Sequence, residues 1–192
     1  MDKFRQLNST VIPLDLDNVD TDMIFPAEHL KSVSKNGYGT ALFSTLKTLY
    51  PDFIFNQKDY SAGNILLSKS NFGCGSSREH AVWAITQYGI RAVVCSSFSD
   101  IFYNNAAKNG LLLIKLPESI INEWMKLALN NASLVMTIDL VNQQINFANQ
   151  VQRFDYDVYR KHCLIEGLDD LDYLLSCKKE IESYELTRSI NV

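Results

Sequence analysis

The chain is poor in the residues that hold metals. Its three histidines, His29, His80 and His162, show no H-x-x-x-H spacing, and its four cysteines, Cys74, Cys95, Cys163 and Cys177, include no C-x-x-C pair. A self-contained zinc or iron–sulfur site is therefore not expected, and most of the thiols read as small, reduced core residues. Basic charge is also short. The formal net charge of -4 gives no field to hold a nucleic-acid backbone or an anionic membrane surface, so neither is an expected partner. No stretch approaches the ~20 apolar residues of a membrane span, and the start, MDKFRQLNST, lacks the apolar core of a secretory signal. A cytoplasmic protein is the expectation. Walker and G-x-G-x-x-G patterns are missing, which weakens nucleotide binding, and there is no internal repeat, low-complexity tract or linker to divide the chain.

What is present is enough apolar residue, 46% of 192, to build one core, so a single domain over residues 1–192 is expected. The residues alternate toward a strand over Val11–Leu16, followed by a turn-forming polar run from Asp17 to Asp22. Residues Lys31 to Gly39 read as a mobile loop before a helix from Thr40 to Leu49. Strands are expected at Ile65–Leu67, Arg91–Cys95 and Leu111–Lys115. Helices are expected from Ser77 to Tyr88, closed by Gly89, near Asp100 to Lys108, and from Pro117 to Asn130. This alternation indicates an α/β layer. A hairpin around Asn142-Gln143 and a largely helical segment after Asp157 complete the reading.

The stretch with chemical content is Asn71-Phe72-Gly73-Cys74-Gly75-Ser76-Ser77-Arg78-Glu79-His80. Two glycines let the backbone come close to a ligand just before a helix begins, and the ~+0.5 charge of a helix start attracts a carboxylate or phosphate. Arg78 adds a planar fork suited to a carboxylate. A plainer reading competes: Ser76 with Glu79 three residues on is a capping box, worth roughly 1 kcal/mol without any function. Capping, however, has no use for a second hydroxyl at Ser77, nor for an arginine at the positive end of a helix dipole. The four carboxylates Asp15, Asp17, Asp20 and Asp22 lack the glycine and terminal glutamate of a calcium loop and read as solvated turn residues.

NFGCGSSREHA, with DNVDTDMIFP upstream and SFSDIFYNNAAKNGLL downstream, resembles the small subunits of bacterial 3-isopropylmalate dehydratase, in the aconitase superfamily. RFDYDVYRKHCLIEGLDDL and KKEIESYE near the end extend the likeness over most of the chain. One departure is Val82, where the family usually has proline. The resemblance implies a swivelling β/β/α-type α/β domain like the fourth domain of aconitase, with C-terminal helices. It implies a hydro-lyase of leucine biosynthesis that interconverts 2- and 3-isopropylmalate through isopropylmaleate. The 4Fe-4S cluster that acts as Lewis acid is then expected on a large subunit, the required partner, with no cofactor bound by this chain. By the same likeness Ser76 is the catalytic base. Ser77 and Arg78 bind a substrate carboxylate, Thr21 and Asp22 frame the site, and Leu30 contacts the isopropyl group. A non-catalytic anion-binding module and a purely structural partner remain as alternatives.

Overall fold

The computed structural model describes residues 1–31 and 37–188. The expectation of mobility for Lys31 to Gly39 falls largely outside these. Among the described residues seven strands form one curled sheet in the order β4-β3-β2-β1-β5-β6-β7. The strands are β1 (Gln6–Leu14), β2 (Ile65–Ser68), β3 (Ala92–Cys95), β4 (Leu112–Lys115), β5 (Val135–Asp139), β6 (Gln144–Phe147) and β7 (Gln150–Arg153). β1 to β4 run parallel and β1-β5-β6-β7 antiparallel.

β1 belongs to both halves. Its first part, Gln6 to Thr10, pairs with β5, and its last part, Val11 to Leu14, with β2. Pro13 falls beyond the last β5 pair, Thr10 with Val135, where β1 is paired on one side only and a missing N–H is tolerated. The short parallel strands ILLS, AVVC and LLIK are apolar on both faces because both faces are covered. On one face Leu66, Val93 and Leu113 pack against α4 (Glu79–Tyr88) and α5 (Asp100–Lys108). On the other, Ile65, Leu67, Val94 and Ile114 meet Ile121, Trp124 and Met125 of α6 (Glu118–Asn130) and the inner residues of β5 and β6.

Four local features differ from expectation. β1 runs over Gln6–Leu14 where a strand over Val11–Leu16 is expected, because its first half finds β5 as a partner. The 40–49 helix is two pieces, α2 (Tyr38–Ala41) and α3 (Ser44–Leu49), separated where Phe43 adopts a left-handed φ of 52° that no helix continues through. A second hairpin adds β7, turning through Ala148 and Asn149, both at positive φ. α4 starts at Glu79 instead of Ser77. Val82, in the place where proline is usual, is fully buried in α4. The chain ends in α7 (Val158–Glu166), α8 (Asp170–Ser176) and α9 (Lys178–Arg188). No described helix is long and apolar enough to cross a membrane.

Candidate active site

The site forms where the chain leaves the carboxyl ends of β1 and β2, and the two exit segments continue side by side. Asn18 N donates to Ser70 O (2.9 Å), Gly73 N to Val19 O (2.7 Å) and Thr21 N to Cys74 O (2.9 Å). Asp17 locks the start of this run, its Oδ1 accepting from the N (2.9 Å) and Oγ (2.5 Å) of Ser70, and these bonds hold its carboxyl below the ordinary range. The short helix α1 (Thr21–Ile24) is capped by Asp20, whose Oδ1 accepts from the N–H groups of Asp22 and Met23.

Two glycines bend the second segment toward α1. Gly73 has φ +75° and lies so close to Phe102 of α5 that a methyl there would sit 2.2 Å from the ring. Gly75 has φ +90°, a conformation costly for other residues. After that turn Ser76 faces α1. Its Oγ lies 3.0 Å from Thr21 Oγ1, which also reaches Ser76 O at 3.2 Å. Thr21 is only 2% exposed, whereas Ser76 and Ser77 are open to solvent.

The capping box expected from Ser76 and Glu79 does not form. The cap position of α4 is Arg78, with no side-chain cap bond; the Ser76 hydroxyl is used on Thr21, and Glu79 Oε1 accepts from Asn109 Nδ2 (2.8 Å). The positive end of α4 therefore has no side-chain acceptor of its own.

Arg78 does meet an anion, as its place in the helix requires. Nη1 donates to Asp22 Oδ1 and, at 3.4 Å, to Phe25 O. Both bonds use one corner of the guanidinium, so the opposite edge faces no described acceptor. The arginine side chain is 23% exposed and that of Asp22 59%. The bond from Arg78, more than any other influence, lowers the Asp22 carboxyl below its usual value. Asp22 Oδ1 also accepts from Ala27 N (3.0 Å), fixing the start of the 3-10 turn Ala27–Lys31.

Thr21–Ser76 and Asp22–Arg78 thus form two hydrogen-bonded pairs between the same two segments, with Ser77 between Ser76 and Arg78 in the chain. Leu30 stands apart from them, 37% exposed on the turn that Asp22 anchors. His80 packs among rings, stacked on Phe25 (5.8 Å) and edge-on to Tyr38 and Trp83. A cleft of about 1140 Å³ lies between the start of α5, the end of β4 and Asp157–Arg160, and contains neither Ser76 nor Arg78.

The thiols do not fit a metal cluster. Cys74 is in the glycine turn, Cys95 in β3, Cys163 in α7 and Cys177 between α8 and α9. Burial and then the Asp20 carboxylate push the Cys74 thiol up, favouring S–H over the thiolate a metal needs. Among the described residues no three His, Cys, Asp or Glu side chains group as metal ligands.

Residues 1–119, which hold the parallel strands and the Ser76-Ser77-Arg78 segment before α4, match the aconitase C-terminal domain, and that is the class to which this chain belongs. Two curated relatives carry the comparison further. The 3-isopropylmalate dehydratase small subunit of Francisella philomiragia is 51% identical over 185 residues, covering 96% of this chain and 97% of its own. That of Rhodopseudomonas palustris is 45% identical, covering 96% and 95%. A crystal structure of 3-isopropylmalate dehydratase from Methanocaldococcus jannaschii matches with a TM-score of 0.67 at 27% identity, over 94% of this chain and 99% of that one. The chain belongs to the family of 3-isopropylmalate dehydratase small subunits.

Proposed function

We propose that this chain is the small-subunit half of a 3-isopropylmalate dehydratase, in which it works as one domain in the cytoplasm. The enzyme interconverts 2- and 3-isopropylmalate by loss and return of water through isopropylmaleate, in leucine biosynthesis. The observation that carries this reading is the convergence of Ser76, Ser77, Arg78, Thr21 and Asp22 at one open corner.

In this reading Arg78 grips a substrate carboxylate by the guanidinium edge that Asp22 leaves free, and the exposed Ser77 hydroxyl adds a donor. Ser76, its hydroxyl proton first lost to solvent water, takes the proton from the carbon beside that carboxylate on Oγ and becomes a neutral hydroxyl. A serine hydroxyl is ordinarily far too weak an acid to serve as such a base, so its alkoxide needs stabilising donors. Thr21 is placed to be one: its hydroxyl, 3.2 Å from Ser76 O and 3.0 Å from Ser76 Oγ, can turn its hydrogen bond onto the alkoxide without the buried side chain moving. The uncapped amides at the start of α4 and the Arg78 charge favour the same anion. Rehydration returns the proton from Ser76. Leu30, exposed and apolar, is the contact for the isopropyl group. A 4Fe-4S cluster on the large subunit, as the family likeness implies, would supply the Lewis acid for departure of the hydroxyl.

The test is reconstitution. The isolated chain should have no dehydratase activity with 3-isopropylmalate and should gain it when mixed with an anaerobically reconstituted large subunit. Activity of this chain alone, or of the mixture only with citrate or homocitrate analogues, defeats the proposal.

A further inference from the structure

The asparagine-rich motif of α5 has no part in the mechanism so far, yet one face of that helix addresses the catalytic segment at three successive points. Phe102, Asn105 and Asn109, the last being the residue that caps α5, are spaced i, i+3, i+7 and lie toward the same side. Phe102 fills the space that Gly73 leaves. Asn105 Nδ2 donates to Ser77 O at 3.4 Å. Asn109 Nδ2 donates to Glu79 Oε1 and to Asn105 O, both at 2.8 Å, while its Oδ1 accepts from Trp83 Nε1 at 2.8 Å. Residues 77 and 79 are the neighbours of Arg78. The residue before it is thus held at its backbone carbonyl by Asn105 and the residue after it by its side-chain carboxylate on Asn109, while the guanidinium is drawn the other way by Asp22 and Phe25 O.

We infer that α5 is the template that sets the aim of Arg78, with Asn105 and Asn109 as positioning residues and Glu79 as the handle that Asn109 holds. The inference rests on the proposed role of Arg78 in gripping the substrate carboxylate. Glu79 is needed here as a hydrogen-bond acceptor and not as a charge, because its partner is a neutral amide. An arginine displaced by even 1 Å meets the carboxylate poorly, and losses of ten- to a hundredfold follow from such misplacement.

The reconstituted complex separates the possibilities. N109A and E79A should each raise KM for 3-isopropylmalate and lower kcat/KM by about tenfold, whereas E79Q, which keeps the acceptor, should stay within about threefold of wild type. The double variant should be little worse than N109A alone, since N109A already removes the link that E79A cuts. A purely structural role would lower the folded fraction and leave KM unchanged; that result overturns the inference, as does equal damage from E79Q and E79A, which would mean that the charge is what matters. A second measurement does not depend on turnover. In ¹⁵N relaxation of the full chain, the amides of Ser77, Arg78 and Glu79 should gain fast motion in N109A and E79A but not in E79Q, and unchanged amides would overturn the proposal. Should the wild-type complex fail to act on isopropylmalate, the functional reading falls, and the relaxation result still decides the template.

Discussion

Thr21 Oγ1 lies 3.0 Å from Ser76 Oγ, although 55 residues separate them in the chain. The pairing follows from the parallel run of the β1 and β2 exits, which carries Thr21 N onto Cys74 O and so sets the two hydroxyls side by side. Thr21→Val keeps the shape of the side chain and removes the donor. If Thr21 stabilises a Ser76 alkoxide, kcat of the reconstituted enzyme falls about a hundredfold with little change in KM. A rise in KM alone would make Thr21 a substrate contact instead.

Arg78→Lys keeps the charge but loses the fork. Co-elution with the large subunit should be unaffected, because the change is confined to the corner, while kcat/KM drops by about tenfold to a hundredfold, the worth of a charge-assisted bond. Unchanged turnover would favour a structural role for the chain.

Asp22 gives the corner a pH signature. Its carboxyl is held below the ordinary value of 3.8, first by the bond from Arg78. Between the lowered native value and the ordinary one the native state binds fewer protons than the unfolded chain, so stability rises with pH across that window. The contribution is complete above pH ~5 and is lost as pH falls through the native value. Asp22→Asn never has it. The stability difference between wild type and variant, measured by urea unfolding, should therefore close on acidification. Asp17 is shifted the same way by Ser70, so the variant retains part of the acid slope. A difference that widens in acid would contradict the pairing.

Gly73→Ala combines a left-handed backbone with a methyl 2.2 Å from Phe102. Overpacking and strain together should cost about 3 kcal/mol, read as a lowered urea midpoint. A midpoint within error of wild type would mean that the turn relaxes freely.

Local pattern carried much of this architecture. The runs ILLS, AVVC and LLIK announce buried strands, and Gly89, at φ +109°, ends α4 where a helix stop was expected. The failures share a cause. Ser76 and Glu79 satisfy every local rule for a capping box, but each finds a partner from a distant segment, Thr21 or Asn109. β7, with the polar sequence QVQR, is a strand because β6 offers it an edge and Trp124 of α6 bonds Gln150. The resemblance named the residues of the corner, yet the Asp22–Arg78 pair, which decides which edge of the guanidinium is open, depends on side-chain directions that no motif specifies.

The dual allegiance of β1 has a consequence for how the molecule holds its shape. Sliding that strand by a single residue would turn Ile12 and Leu14 out of one core and Val11 out of the other, while breaking ladders with both β2 and β5. Neither half of the sheet can shift alone, so β1 behaves as a keystone, and its amide protons should be among the last to trade with deuterium from solvent.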